Sequence, residues 1–345
     1  MDRFIGLDAH LSSCTFAVMG PTGRKLRTDV VDTSAKALKD FVLGVKGSRY
    51  LCLEEGTMSE WLYEVLSPHV QELVVMVPVK RRGPKSDAKD AFDLANKLRL
   101  NDIETSVFKG YGQFQRLREL SRVYDKIVGD VIRAQNRIKS MYRSRGVASP
   151  GRGVYSTEGR DAWLKRLPPA CRFACRSLYA EYDALLPIKE ETQAELVKES
   201  RRHPISRKLE TTPGLGPVRV AQSMAAVVTP HRFRTKRPFW SYCGLGIVMR
   251  SSSDYVKQDG RWLRVPVQTT RGLNPYCNRR LKRIFKGAAT TVISLMPRSP
   301  LALHYQRLVS GDTKPNLAKL TLARKIAATF LAMWKHEEVY DPSRH

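Results

Sequence analysis

Residues 4–8 (Phe4-Ile5-Gly6-Leu7-Asp8), 14–19 (CTFAVM) and 25–31 (KLRTDVV) decide how the chain begins to fold. Each is a short strand-like run, and the gaps between them hold turn-forming residues such as Gly20-Pro21-Thr22-Gly23. Three strands joined this tightly form an antiparallel meander. The period then changes. Residues 35–45 have helical spacing, 50–54 (YLCLE) read as a strand, 59–66 as a helix, 73–77 (LVVMV) as a strand and 87–100 as a helix.

The resulting order, βββαβαβα, is the ribonuclease H arrangement and predicts an α/β domain over residues 1–112. Beyond it, residues 113–145 carry Leu117, Leu120, Tyr124, Ile127, Val131, Ile138 and Met141 mostly at three- or four-residue steps, a helix too long for a small compact domain. A second helical stretch covers 169–200, after the break Ser149-Pro150-Gly151-Arg152-Gly153. Two long helices with a loop between them predict a hairpin of coiled-coil type over 113–203. Such a hairpin either mediates self-association or packs on its own domain. Residues 204–345 read as a separate α-rich domain with helices near 274–295 and 316–335.

The chain has 345 residues, 60 lysines and arginines against 33 acidic residues, and a formal charge of +27. Its pI is about 10.1. A polyanionic partner follows, because basic side chains gain affinity by displacing counterions from phosphates. Clusters at Lys80-Arg81-Arg82, at Arg137, Lys139, Arg143 and Arg145, at Arg201-Arg202, and at Arg279, Arg280, Lys282 and Arg283 spread the charge over a broad surface. The six scattered cysteines suit reduced thiols, and Cys171 and Cys175 have no nearby His or Cys pair to complete a zinc site. No window approaches the ~18 apolar residues of a membrane span. An intracellular, soluble, cytoplasmic protein is expected.

Asp8 closes the first strand and Glu54 the fourth, and in a ribonuclease H topology these strands lie side by side in parallel. Asp87 and Asp90, three apart at the start of a helix, share a face and are expected to complete the cluster from above. Four hard oxygen donors near one point repel one another unless divalent cations neutralise them, and Mg2+ (or Mn2+) favours such carboxylate shells. Two ions held this way assist phosphoryl transfer. Taken singly, each acid also reads as a turn residue, cap or dipole partner. Glu55 competes with Glu54, since strand alternation turns only one of them toward Asp8. Asp93 sits nearly a turn further on.

Pro213-Gly214-Leu215-Gly216 resembles the hairpin of a helix-hairpin-helix element, in which Gly214 and Gly216 let backbone N–H groups approach a phosphate; a plain turn before a helix is the alternative. Farther on, Phe239-Trp240-Ser241-Tyr242-Cys243-Gly244-Leu245 precedes Arg250 and the triplet Ser251-Ser252-Ser253, followed by Arg271, Arg279 and Arg280. A serine hydroxyl needs a base, a metal or an electropositive site to act as a nucleophile. Without one, a serine triplet is a loop.

Five stretches together, Phe4-Ile5-Gly6-Leu7-Asp8, Cys52-Leu53-Glu54, Lys85-Ser86-Asp87-Ala88-Lys89-Asp90-Ala91, Pro213-Gly214-Leu215-Gly216 and Gly244-Leu245 ahead of Ser251-Ser252-Ser253, resemble the insertion-sequence transposases of family one-hundred-ten. The resemblance covers nearly the whole chain in order. It implies a RuvC-like domain, a serine-bearing transposase domain and guidance by a bridge RNA, with donor and target DNA as substrates and a homo-oligomer, dimer or tetramer, as the acting form. It also implies that Asp8, Glu54, Asp87 and Asp90 hold the metal and that Ser252 forms a transient phosphoserine bond with DNA. Arg250, Arg271, Arg279 and Arg280 would face nucleic acid. Three departures stand out: Ser253 where the family commonly has Gly, Gly246-Ile247 where a Pro is common, and Arg271 where Lys is common. The first leaves the register within Ser251, Ser252 and Ser253 open. Other readings are a metal-dependent Holliday-junction resolvase-like nuclease using water, and a non-catalytic nucleic-acid-binding scaffold.

Overall fold

In the computed structural model the described residues are 1–78, 86–103, 112–249, 255–264 and 270–344, with the side chains of 249, 264, 270 and 271 left aside. The chain divides into two compact units, Met1–Gln113 and Phe114–His345. No helix among the described residues is long and apolar enough to cross a membrane.

The first unit runs β1 (Asp2–Ala9), β2 (Ser13–Met19), β3 (Lys25–Asp32), α1 (Ala35–Gly44), β4 (Ser48–Glu54), α2 (Ser59–Leu66), β5 (Glu72–Met76) and α3 (Asp87–Arg99). This is the element order expected from the period changes, with bounds within two residues. The five strands form one mixed sheet in the order β3-β2-β1-β4-β5. The meander pairs antiparallel, while β1 with β4 and β4 with β5 pair parallel.

Alternation splits the sheet into two faces. Ile5, Leu7, Leu51, Leu53 and Val75 pack with Leu38, Phe41 and Val42 of α1 and Leu62 and Leu66 of α2. Phe16 stacks on Phe41 at 4.2 Å. The opposite face carries Cys52 and Met76, which pack on Leu94 of α3. Here Gly6 decides the spacing. A Cβ at position 6 would lie 1.8 Å from the Ala91 carbonyl oxygen and 2.8 Å from the Ala95 nitrogen, so the backbone of α3 rests directly on β1.

The second unit begins with α4 (Gln115–Arg143) and, after α5 (Arg160–Lys165), α6 (Pro169–Arg201). The two long helices run antiparallel: Arg116 pairs with Glu195, Tyr124 Oη with Gln193 at 2.9 Å, Arg137 with Glu181, and Tyr142 Oη with Tyr179 Oη at 3.0 Å. Val131, Ala134, Ile138 and Tyr142 meet Cys175, Tyr179 and Tyr182 in a core of their own. Desolvation pushes the Tyr142 hydroxyl pKa well above its ordinary value, so this buried pair stays neutral.

The chain continues with α7 (Pro204–Glu210), α8 (Pro217–Val227), α9 (Lys236–Tyr242), β6 (Ile247–Met249), β7 (Tyr255–Gln258), β8 (Arg261–Arg264), β9 (Thr270–Leu273), α10 (Arg279–Leu295), α11 (Pro300–Ser310) and α12 (Pro315–His336). Phe239, Phe285, Phe330 and Trp334 meet edge to face in a chain with centroids 5.7–5.8 Å apart, the arrangement that aromatic quadrupoles favour. Leu117 and Tyr124 of α4 and Leu196 of α6 belong to this same core. The expected helix from 274 starts only at Arg279, because Asn278 caps it: its side chain accepts from the Leu281 N–H at 3.1 Å. The α-rich region also contains two short ladders, β6 with β9 and β7 with β8, which the sequence reading did not mark.

Candidate functional site

Asp8 is the next-to-last residue of β1, and strand alternation turns it to the face on which α3 lies, opposite Leu7. On that face the first turn of α3 supplies Asp87 and Asp90. Acids there are favoured by the positive end of the helix dipole. The close approach at Gly6, two residues before Asp8, sets how near that turn comes to β1.

Among the described residues, Asp8, His10 and Asp87 form one group whose ligand atoms all lie within 4.8 Å of one another. His10 Nε2 is 3.5 Å from Asp8 Oδ2 and 3.6 Å from Asp87 Oδ1. Asp8 Oδ2 is buried without a hydrogen-bond partner. Its side chain is 22% exposed and that of Asp87 50%, so the group opens to solvent on the Asp87 side. The structure thus brings together Asp8 and Asp87 of the expected acids, and adds His10. The sequence reading did not include His10, although Asp8-Ala9-His10 has the two-residue spacing that returns to the same face. The β1–β2 turn holds it: the His10 N–H donates to Ser13 O at 3.0 Å, and Thr33 Oγ1 donates to His10 O at 2.7 Å.

Glu54 and Asp90 fall outside that 4.8 Å group but flank it. Leu7 pairs with Leu53 in the β1–β4 register, so Glu54 follows on the neighbouring strand as Asp8 does on its own. Cys52, two residues before Glu54 on the same face, has its thiol pKa pushed up to about 12, first by burial and second by the Glu54 charge, with Lys97 opposing. Glu54 is half-buried and Glu55 exposed, and alternation directs Glu55 to the other side. Asp90 and Asp93 are both half-buried on α3.

In the second unit, Gly214 has φ +77 and a Cβ there would lie 2.5 Å from the Ala288 carbonyl oxygen. Its role is thus to let the turn before α8 pack against α10. Arg219 locks the same turn, donating to Gly214 O at 2.7 Å and Thr291 Oγ1 at 2.9 Å. Gly216, the residue before α8, has open space around it. Gly244 (φ +66) sits where a Cβ would lie 2.4 Å from Cys277 Sγ, and Leu245 O accepts from Arg324 Nε at 2.7 Å. That fixes the lead into β6.

Arg279 is exposed at the first position of α10. Arg280 is engaged within the protein: it pairs with Asp125 and donates to buried Ser121 Oγ at 2.7 Å. Asp125 Oδ1 also accepts from Arg283 at 3.0 Å and Gln222 at 2.8 Å. Arg271 lies on β9. Arg250 and the triplet Ser251, Ser252 and Ser253 lie outside the described residues, as do Lys80, Arg81 and Arg82.

Two family models match the chain. An IS110 DEDD model described as Transposase matches residues 5–144, and a model described as Transposase IS116/IS110/IS902 family matches residues 206–306. No curated protein matches it.

Proposed function

Because the chain belongs to the IS110 family of transposases, and so to the DNA transposases and recombinases, we propose that it exchanges DNA strands through a serine–phosphate intermediate, guided by a bound RNA. In this reading Asp8, Glu54, Asp87 and Asp90 hold Mg2+ (or Mn2+), and Ser252 is the nucleophile. The first unit is then a RuvC-like domain of ribonuclease H fold, supported by its element order and mixed five-stranded sheet. Residues 113–203 are the hairpin and 204–345 the serine-bearing domain.

One observation carries the metal reading: Asp8 Oδ2 is buried without a hydrogen bond, beside Asp87 and 3.5 Å from His10 Nε2. A buried carboxylate oxygen left without a donor is costly, and a divalent cation among hard oxygen donors relieves that cost. A bound cation would neutralise the clustered carboxylates and stabilise charge developing on the reacting phosphate. The protein's own part is positional. Parallel strand ends fix Asp8 and Glu54, and the Gly6 contact sets the α3 acids against them. His10 Nε2 lies 3.5 Å from Asp8 Oδ2 and 3.6 Å from Asp87 Oδ1, where it orients both carboxylates.

Ser252 Oγ attacks the phosphorus while the bond to the departing strand oxygen breaks; the serine proton leaves, and the departing oxygen takes one up. The ester keeps the phosphodiester's energy, so a new strand end can reverse the step and be joined without an external energy source. The charge of +27 supports binding of several nucleic-acid strands at once. A homo-oligomer, dimer or tetramer, would let donor and target be cut in concert. The test is to incubate the protein and its copurifying RNA with donor and target DNA and Mg2+. A denaturation-resistant protein–DNA adduct is expected. Hydrolysed ends with no adduct would replace serine attack by attack of water.

A further inference from the structure

The excursion between β6 and β9 holds an element that the proposed chemistry leaves unused. Ile247 pairs with Leu273 and Met249 with Thr270 at its base, and β7 and β8 form a separate hairpin within it. Tyr255 pairs with Arg264, Val256 with Leu263, Lys257 with Trp262 and Gln258 with Arg261. Asp259 (φ +50) and Gly260 (φ +76) close it, the two-residue left-handed turn that matches strand twist.

Directly opposed residues of an antiparallel pair share a face. One face therefore presents Tyr255, Lys257 and Trp262. Every residue from 255 to 263 is exposed, with Tyr255 at 58% and Trp262 at 67%. An isolated two-stranded hairpin is marginal in water, and two exposed aromatic rings flanking a lysine have no structural task there. Aromatic rings beside cationic side chains are the chemistry that takes nucleic-acid bases, since every base has a π-face and a phosphate alongside. In a duplex those π-faces are covered by neighbouring pairs, so the surface suits an unpaired strand. Its place in the chain selects which strand. Tyr255 is three positions after Ser252, a span of at most ~11 Å, so a base stacked on Tyr255 belongs to a nucleotide near any phosphate held at the serines.

We infer that the Tyr255, Lys257 and Trp262 face of the β7–β8 hairpin stacks unpaired DNA bases beside the phosphate attacked in strand exchange. The location rests on the serine reading above; the binding itself does not.

The test measures affinity of the full chain for a single-stranded thymidine 20-mer, a mixed-sequence duplex and a uridine 20-mer, each over a range of salt. Tyr255→Ala and Trp262→Ala should each weaken single-strand DNA binding about tenfold, the scale of one lost stacked base. Duplex affinity, melting temperature and the slope of affinity with salt should stay unchanged, because stacking releases no counterions. Trp262→Phe should keep most of the affinity. Equal loss on duplex, a shallower salt slope, stronger dependence on the uridine strand, or a change in oligomeric mass with DNA binding intact would each overturn the inference. Adduct formation by the parent separates the two readings: Tyr255- and Trp262-dependent single-strand affinity with no adduct would remove the serine reading and overturn the location inferred from it.

Discussion

Gly6→Ala tests whether the packing of α3 on β1 sets the acidic site. The added Cβ would lie 1.8 Å from the Ala91 carbonyl oxygen and 2.8 Å from both the Ala91 carbon and the Ala95 nitrogen. All three are backbone atoms, so no side chain can swing aside. Restoring even the 3.0 Å floor of real Cβ contacts moves α3 outward by about 1.2 Å. Overpacking of this kind costs about 1–3 kcal/mol, against the ~0.4–1 kcal/mol that Gly→Ala recovers from the unfolded chain where the backbone tolerates it. At a net ~1.3 kcal/mol, the first unit should melt roughly 5–10 °C lower. The functional loss should be larger than the stability loss, because α3 carries Asp87 and Asp90, and a ~1 Å misplacement of reacting groups costs about a hundredfold in rate. Calorimetry, Mn2+ titration by the free-ion spin resonance signal, and strand-cleavage rates on one preparation would measure all three. Gly44→Ala, with nothing within 4 Å of its Cβ, is the control and should be neutral or slightly stabilising. Parental melting and Mn2+ affinity in Gly6→Ala would refute the reasoning.

Two further substitutions probe the second unit. Asp125→Ala removes the shared partner of Arg280, Arg283 and Gln222, and should lower stability by about 2 kcal/mol, below the value for a fully buried pair because solvent reaches it; an unchanged calorimetric melt would contradict that. His203 lies tilted against Phe114, ring centroids 4.4 Å apart, with its Nε2 buried and without a hydrogen bond, and burial lowers its pKa, with Glu199 opposing and Arg202 assisting. The unfolded chain then binds the proton more readily, so stability is full above about pH 6.5 and is lost as pH falls through the folded value. Melting of the parent should drop on acidification more steeply than that of His203→Phe, and parallel pH profiles would count against it.

How much of this was legible in the sequence depended on the range of the interaction. Period alone marked β1, β4, α4 and α6, because burial repeats along each element, and the loop between the two long helices suggested their antiparallel pairing. Asp8 and Glu54 could be placed on parallel strand ends for the same reason. The role of Gly6 was not legible, since its neighbour Ala91 is 85 positions away and only the folded approach of α3 shows the contact. Gly214 read either as a phosphate clamp or as a plain turn; that its missing Cβ makes room for α10 was not legible. Arg280 read as a nucleic-acid contact, and its pairing with Asp125, 155 positions earlier, was not legible. His10 keeps the two-residue spacing from Asp8 but lies just beyond the end of β1, and β6 to β9 span three or four residues each, too few for alternation to stand out.

Exchange of strands through a bond to serine is the step on which the proposed function turns. Its most direct test is the chemical location of that bond: trap the adduct from protein, copurified RNA, donor and target DNA and Mg2+, digest the DNA and the protein, and sequence the modified peptide by mass spectrometry. The account predicts one nucleotide remnant on Ser252, lost in Ser252→Ala and absent when Asp8→Asn replaces the parent. A remnant on a residue outside Ser251, Ser252 and Ser253, or cleaved DNA with no modified peptide, would contradict it.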